Sequence, residues 1–201
     1  MDPRAAEILW FWFGRISPTG EVSEEKRTKW FRGGEAFDHE IEDLFDEEME
    51  AAATGELDDW RQTPRGCLAL CLLLDQFPRN VYRGQPQAFA QDAKALDIAL
   101  ACIEDGSWQA LTLIERVFVL LPLEHAESLP MQQRSVALFR ALEEEAPASQ
   151  KPLLASYRDY AERHHALIEQ FGRFPYRNAV LGRPSTQAEK TFLEETGTSF
   201  L

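Results

Sequence analysis

The chain has 201 residues, 44% hydrophobic and 27% charged, which suits one well-packed domain over residues 1–201 and excludes wholesale disorder. Its formal net charge of −13 would repel phosphate backbones and anionic bilayers, so neither nucleic acid nor a membrane is an expected partner. Cys67, Cys71 and Cys102 sit within apolar stretches, as free thiols do in a reducing compartment, and no signal peptide or ~20-residue apolar span is visible, so the cytoplasm is expected.

Taken in order, Asp2-Pro3 caps and starts a helix that carries Ile8-Leu9-Trp10-Phe11-Trp12-Phe13 and stops at Gly14. So many aromatic rings imply burial, or else a surface for a partner. Ser23 caps a short helix with Trp30 and Phe31, ended by Gly33-Gly34. Phe37, Ile41, Leu44, Phe45 and Met49 then repeat at three and four against an acidic face, giving an amphipathic helix that ends near Gly55.

Thr63-Pro64 opens the central element. The run from Cys67 to Leu74 is apolar on every side, so other helices must enclose it, and Pro78 is expected to end it. Asp75 follows that run with no polar transition, which puts a carboxylate at the edge of a dry core, where it needs a partner. Further helices are expected from Pro86, with Gly106 beyond its end, over the apolar run from Leu111 to Leu121 that leads into Pro122, from Pro130 to Glu145 and from Lys151 to Phe171, the last closed by Gly172. Thr186 and Glu189 fit a capping box for a final short helix. No strand-like alternation occurs. The expected fold is all-α: stacked antiparallel helical hairpins in a tetratricopeptide-like superhelix with a concave side, although no strict ~34-residue repeat is visible.

Three apolar helices end in polar clusters. The first is Asp75, Gln76, Arg79, Asn80 and Tyr82; the second is Glu124, His125 and Glu127; the third is His164 followed by Arg173, Tyr176, Arg177 and Asn178. Phe77-Pro78-Arg79-Asn80 and Phe174-Pro175-Tyr176-Arg177-Asn178 share one grammar. If the helix ends converge, Asp75, Arg79, Asn80, Arg173, Arg177 and Asn178 would bind a small anionic molecule through two-pronged guanidinium contacts. Glu124, His125 and His164 would be the catalytic candidates, able to move a proton. The competing reading is an internal salt-bridge and capping network in a non-catalytic scaffold, with a peptide or protein partner in the concave face. Glu162-Arg163-His164-His165 holds a single Glu-x-x-His, where helical di-iron sites need two such motifs, so no metal ligand is assigned. No phosphate loop or nucleophile elbow is present, and no cofactor is expected.

These residues also carry a resemblance. The segment from Leu72 to Gly84, Pro122-Leu123-Glu124-His125-Ala126-Glu127, Phe171 to Asn178, and Leu181-Gly182-Arg183-Pro184-Ser185-Thr186 resemble the bacterial "domain of unknown function 924" family. The opening Ile8 to Gly14 and the closing Phe192-Leu193 fit the same pattern. The resemblance implies an all-helical fold related to tetratricopeptide superhelices, with no established activity. Tyr176 stands where members of that family often have His, which argues against an obligatory metal ligand there.

Overall fold

A computed structural model describes residues 2–196; the side chain of Phe31 lies outside the described set. Among the described residues there is no strand, and the fold is all-α. Its middle is one continuous rod: Pro64–Cys71 (α4), a π-helical turn at Leu72–Gln76, then Phe77–Val81 (α5). Every residue from 66 to 78 is buried, as an all-round apolar helix requires. Each enclosed Leu there contributes roughly 1.5–3 kcal/mol of burial.

The expected stop at Pro78 is corrected. In a regular helix its ring would collide with the Leu74 carbonyl and leave that carbonyl without a donor. The π turn just before it pairs the Phe77 N–H with the Leu72 carbonyl five residues back, and the proline enters as the second residue of a new helical segment. Pro122 also lies within a helix, Leu113–Glu124 (α7). The helix expected from Pro86 is divided into a 3₁₀ turn at Pro86–Phe89 and Asp92–Glu104 (α6), with Gln91 out of helical geometry between them.

Pro3–Phe13 (α1), α6 and α7 sheathe α4, while Gly34–Thr54 (α3) packs on α5 and the π turn. The start of α4 also closes on a 3₁₀ turn at Asp58–Gln62. Gly66 is what permits that approach: a Cβ there would stand 2.0 Å from the Trp60 carbonyl oxygen. The rest of the chain runs as sequential neighbours, with α7 on Leu129–Glu145 (α8) and α8 on Lys151–Phe171 (α9). Gln187–Thr196 (α10) packs beside a 3₁₀ turn at Pro175–Arg177. Among the described residues, no helix is long and apolar enough to cross a membrane.

The aromatic segment of α1 divides by face. Trp12 and Phe13 are buried, whereas Trp10 is 65% exposed. Trp12 stacks on Trp30 and meets Phe118 edge-on, and the Trp30 indole N–H donates to the Trp12 carbonyl at 2.9 Å. That bond and stack pin Glu24–Arg32 (α2) against α1 by one face, and α2's other side faces a cavity. The three cysteines are free and buried.

Candidate functional site

The cavity has a volume of about 540 Å³ and lies between α2, α5, the end of α7, α9 and the Pro175–Arg177 turn. The ends of the central rod and of α7 therefore meet the middle of α9 and the turn that follows it. Among the described residues, five arginines (27, 32, 79, 83 and 177) line it, against Glu24 and Glu124 as carboxylic side chains. In a chain of net charge −13, that is a local concentration of cationic side chains.

The inner wall is a closed charge cluster. Asp75, fully buried where the π turn carries it, is 2.7 Å from His125 Nδ1 and 2.9 Å from Arg79 Nη1. Arg79 also donates to the Asp75 carbonyl at 2.8 Å and to Asp92 at 3.0 Å. Arg177 donates to the same Asp92 oxygen at 3.0 Å. Its guanidinium lies over the rings of Phe89 (4.6 Å) and Phe174 (4.5 Å). Two aspartates thus balance two arginines, with Phe89 stacked on both cations. Burial alone would raise the Asp75 carboxyl, but Arg79 and His125 outweigh it and hold Asp75 below the usual carboxylate range.

Because the Asp75 carboxylate accepts, His125 carries its proton on Nδ1, and Nε2 is the nitrogen left with a lone pair. Burial, reinforced by Arg79, lowers the His125 pKa, so the ring is neutral near pH 7. Its position rests on Gln132, which is wholly buried on α8 and donates to the carbonyls of Glu124 (2.6 Å) and Ala126 (2.7 Å) on either side of His125. His164 donates from Nδ1 to the Tyr160 carbonyl at 2.9 Å and sits 3.1 Å from Glu124. Burial, then the neighbouring His125, pushes His164 down to about 3. Glu124 moves the other way, to about 8, through burial and the nearby Asp75, so it is a neutral acid at pH 7. The site therefore holds neutral imidazole bases beside a neutral carboxylic acid, a pairing able to take up a proton at one point and release one at another.

Not every expected residue arrives. Arg173 is held outside the cavity by Glu189 (2.7 Å) and the Pro184 carbonyl. Asn178 is buried beneath the following loop, bonded to Ser185 and Arg183. Asn80 lines the cavity, but its amide donates to the Gln76 carbonyl, tying down the rod. Glu127 clamps the Arg183 guanidinium and the Phe174 N–H. On the outer face of α9, Glu162 is taken by Arg158 and Arg140. Among the described residues, no group of three or more His, Cys, Asp or Glu side chains is arranged to hold a metal ion.

Four contributors escaped the sequence reading. Asp92 reads locally as an ordinary acidic first-turn residue, and Phe89 as one more core position. Arg27 and Arg32 lie on a short, highly charged helix whose spacing of Glu24, Thr28 and Arg32 already marks one face. Neither Arg27 nor Arg32 forms an ion pair among the described residues.

Fold and site together define a class: an all-helical protein enclosing an arginine- and histidine-lined cavity. The chain belongs to the family described as "Bacterial protein of unknown function (DUF924)", whose model matches residues 8–197. It is similar to a solved structure, "Structure of Protein of Unknown Function ATU0120 from Agrobacterium tumefaciens", at 40% identity and a TM-score of 0.79. That likeness covers 95% of this chain and 97% of the other. Nothing among curated proteins matches the chain.

Proposed function

We propose that the cavity binds a small anionic molecule and that His125, oriented by Asp75, exchanges a proton with it. One observation carries this reading: His125, bonded at 2.7 Å to the buried Asp75, lines a cavity that five arginines also line. A carboxylate on Nδ1 fixes the tautomer and stabilises the imidazolium formed when Nε2 takes a proton. Such a general base contributes roughly 10²–10⁴-fold to a rate. Glu124, protonated below about pH 8, supplies the acid, with His164 beside it. The reaction class is proton transfer, or hydrolysis or elimination driven by it. The compartment is taken to be the cytoplasm, in keeping with the three free buried thiols.

Native mass spectrometry of the purified protein tests the binding half, the expected result being a co-purified anion of a few hundred daltons. Against that compound, His125→Gln should reduce turnover by about 10²-fold or more while binding persists. A protein that copurifies with nothing and is stabilised by no member of a panel of phosphorylated and carboxylated metabolites would falsify the reading.

A further inference from the structure

The inner cations are already spoken for. Arg79 and Arg177 share Asp92, Arg79 also holds Asp75, and Arg83 makes a bidentate pair with Asp38. An anion arriving there would have to compete with carboxylates in place, and Asp75 and Asp92 would repel it. Arg27 and Arg32 face the same cavity from α2 and, among the described residues, no carboxylate pairs with either and the buried Nε of Arg27 has no hydrogen-bond partner. A guanidinium that keeps unmatched donors against a cavity wall is where an anion gains most. The Thr28 hydroxyl lies on the same wall, between the two arginines in sequence. Tyr157 lines the cavity with Arg27 and Glu124.

The geometry points to Arg27 and Arg32 as the anchor for the anionic group of the substrate, a carboxylate or a phosphate, with the reacting group of the same molecule at His125. The substrate class is then an elongated anion, charged at one end, with a dissociable proton or hydrolysable bond at the other. Its middle lies along the apolar wall of Trp30, Leu121 and Tyr157. This inference rests on the reading of the cavity as an anion site, and it separates recognition on α2 from chemistry at α7.

Calorimetric titration with phenyl phosphate, phenylacetate and neutral benzyl alcohol, each to millimolar concentration, tests it. Wild type should bind at least one of the two anions and bind benzyl alcohol far more weakly; the tighter anion names the group recognised. Arg27→Gln/Arg32→Gln should weaken that anion by about tenfold or more, and added salt should narrow the gap. His125→Gln should keep wild-type affinity to within about twofold, because it alters the other end. Circular dichroism melting confirms that each variant is folded; Arg32→Gln alone, on an exposed side chain, serves if the double variant is not. Wild-type affinity in the folded α2 variant overturns the anchor and leaves the cavity reading standing. Failure of both anions to bind the wild type overturns the cavity reading and the anchor together.

Discussion

Phe77-Pro78-Arg79-Asn80 and Phe174-Pro175-Tyr176-Arg177-Asn178 spell nearly the same phrase, yet the fold uses them differently. The first is wound into the central rod at its π turn; the second forms a 3₁₀ turn after α9. Their arginines end on one target, sharing one Asp92 oxygen and stacking on Phe89. Their asparagines part company: Asn80 bonds one helical turn back to Gln76, whereas Asn178 fastens the loop through Ser185 and Arg183. The first copy also brings its own acid, Asp75, and the second brings aromatic rings instead. A shared motif therefore predicts a shared destination for the long charged side chain, while the short amide answers to its local backbone.

The sharpest way to break this symmetry is Asp75→Ala. It would leave Arg79 and His125 facing a dry wall without their carboxylate, and a loss of about 3–5 kcal/mol is expected in urea unfolding. A loss below about 0.5 kcal/mol would mean that water reaches the cluster freely. Asp92→Asn should come next, at about 2 kcal/mol, because it weakens both arginines at once. A double-mutant cycle should then give coupling between residues 79 and 177 that vanishes in the Asp92→Asn background. Arg177→Ala is expected to leave a cooperatively folded protein, since Arg79 still neutralises Asp92, and to cost less than Arg79→Ala. Loss of cooperative unfolding in Arg177→Ala would make the second copy the structural one.

The pH dependence sharpens the same contrast between charged pairs and neutral neighbours. Glu124 has a raised pKa of about 8, so the folded state holds its proton longer than the unfolded chain does, and stability falls as pH rises from 4.5 through 8. His164 and His125 are lowered, so their contribution is present above 6.5 and is lost as pH falls below it. Two histidines outweigh one glutamate on the acid side, and the glutamate acts alone on the alkaline side. Unfolding free energy should therefore peak near pH 6.5. Glu124→Gln should flatten the decline between pH 6.5 and 8, a relative gain of about 1–2 kcal/mol at the alkaline end. An unchanged alkaline slope in that variant would mean that Glu124 is ionised in the folded protein. The smallest expected effect is Asn178→Ala, about 1 kcal/mol, seen as faster amide exchange in the Leu181–Thr186 loop with the rod unaffected.

Much of this architecture could be read in advance. Capping residues and terminal glycines bounded most helices correctly: Ser23 and Thr63 start helices, Gly55 and Gly172 close them, and Thr186 with Glu189 forms the expected box. Those signals are local, carried by backbone groups and side chains a few residues apart. Pro78 misled because a proline reports only that regular pairing fails. It does not say whether the chain then stops or widens into a π turn, and here burial of both flanks favours continuation. Arg173 and Asn178 misled for the opposite reason, since nearby partners, Glu189 and Ser185, claim them before the cavity can.

What the amino-acid order determined by itself was the all-helical character, the enclosed rod and the polar tips, because each follows from spacing over one or two turns. Tertiary packing alone decided that Asp92 would join two distant arginines and that α2 would present Arg27 and Arg32 to the cavity. Charges far apart along the chain have no means of recognising one another until burial brings them together, and it is removal from water that makes their pairing obligatory.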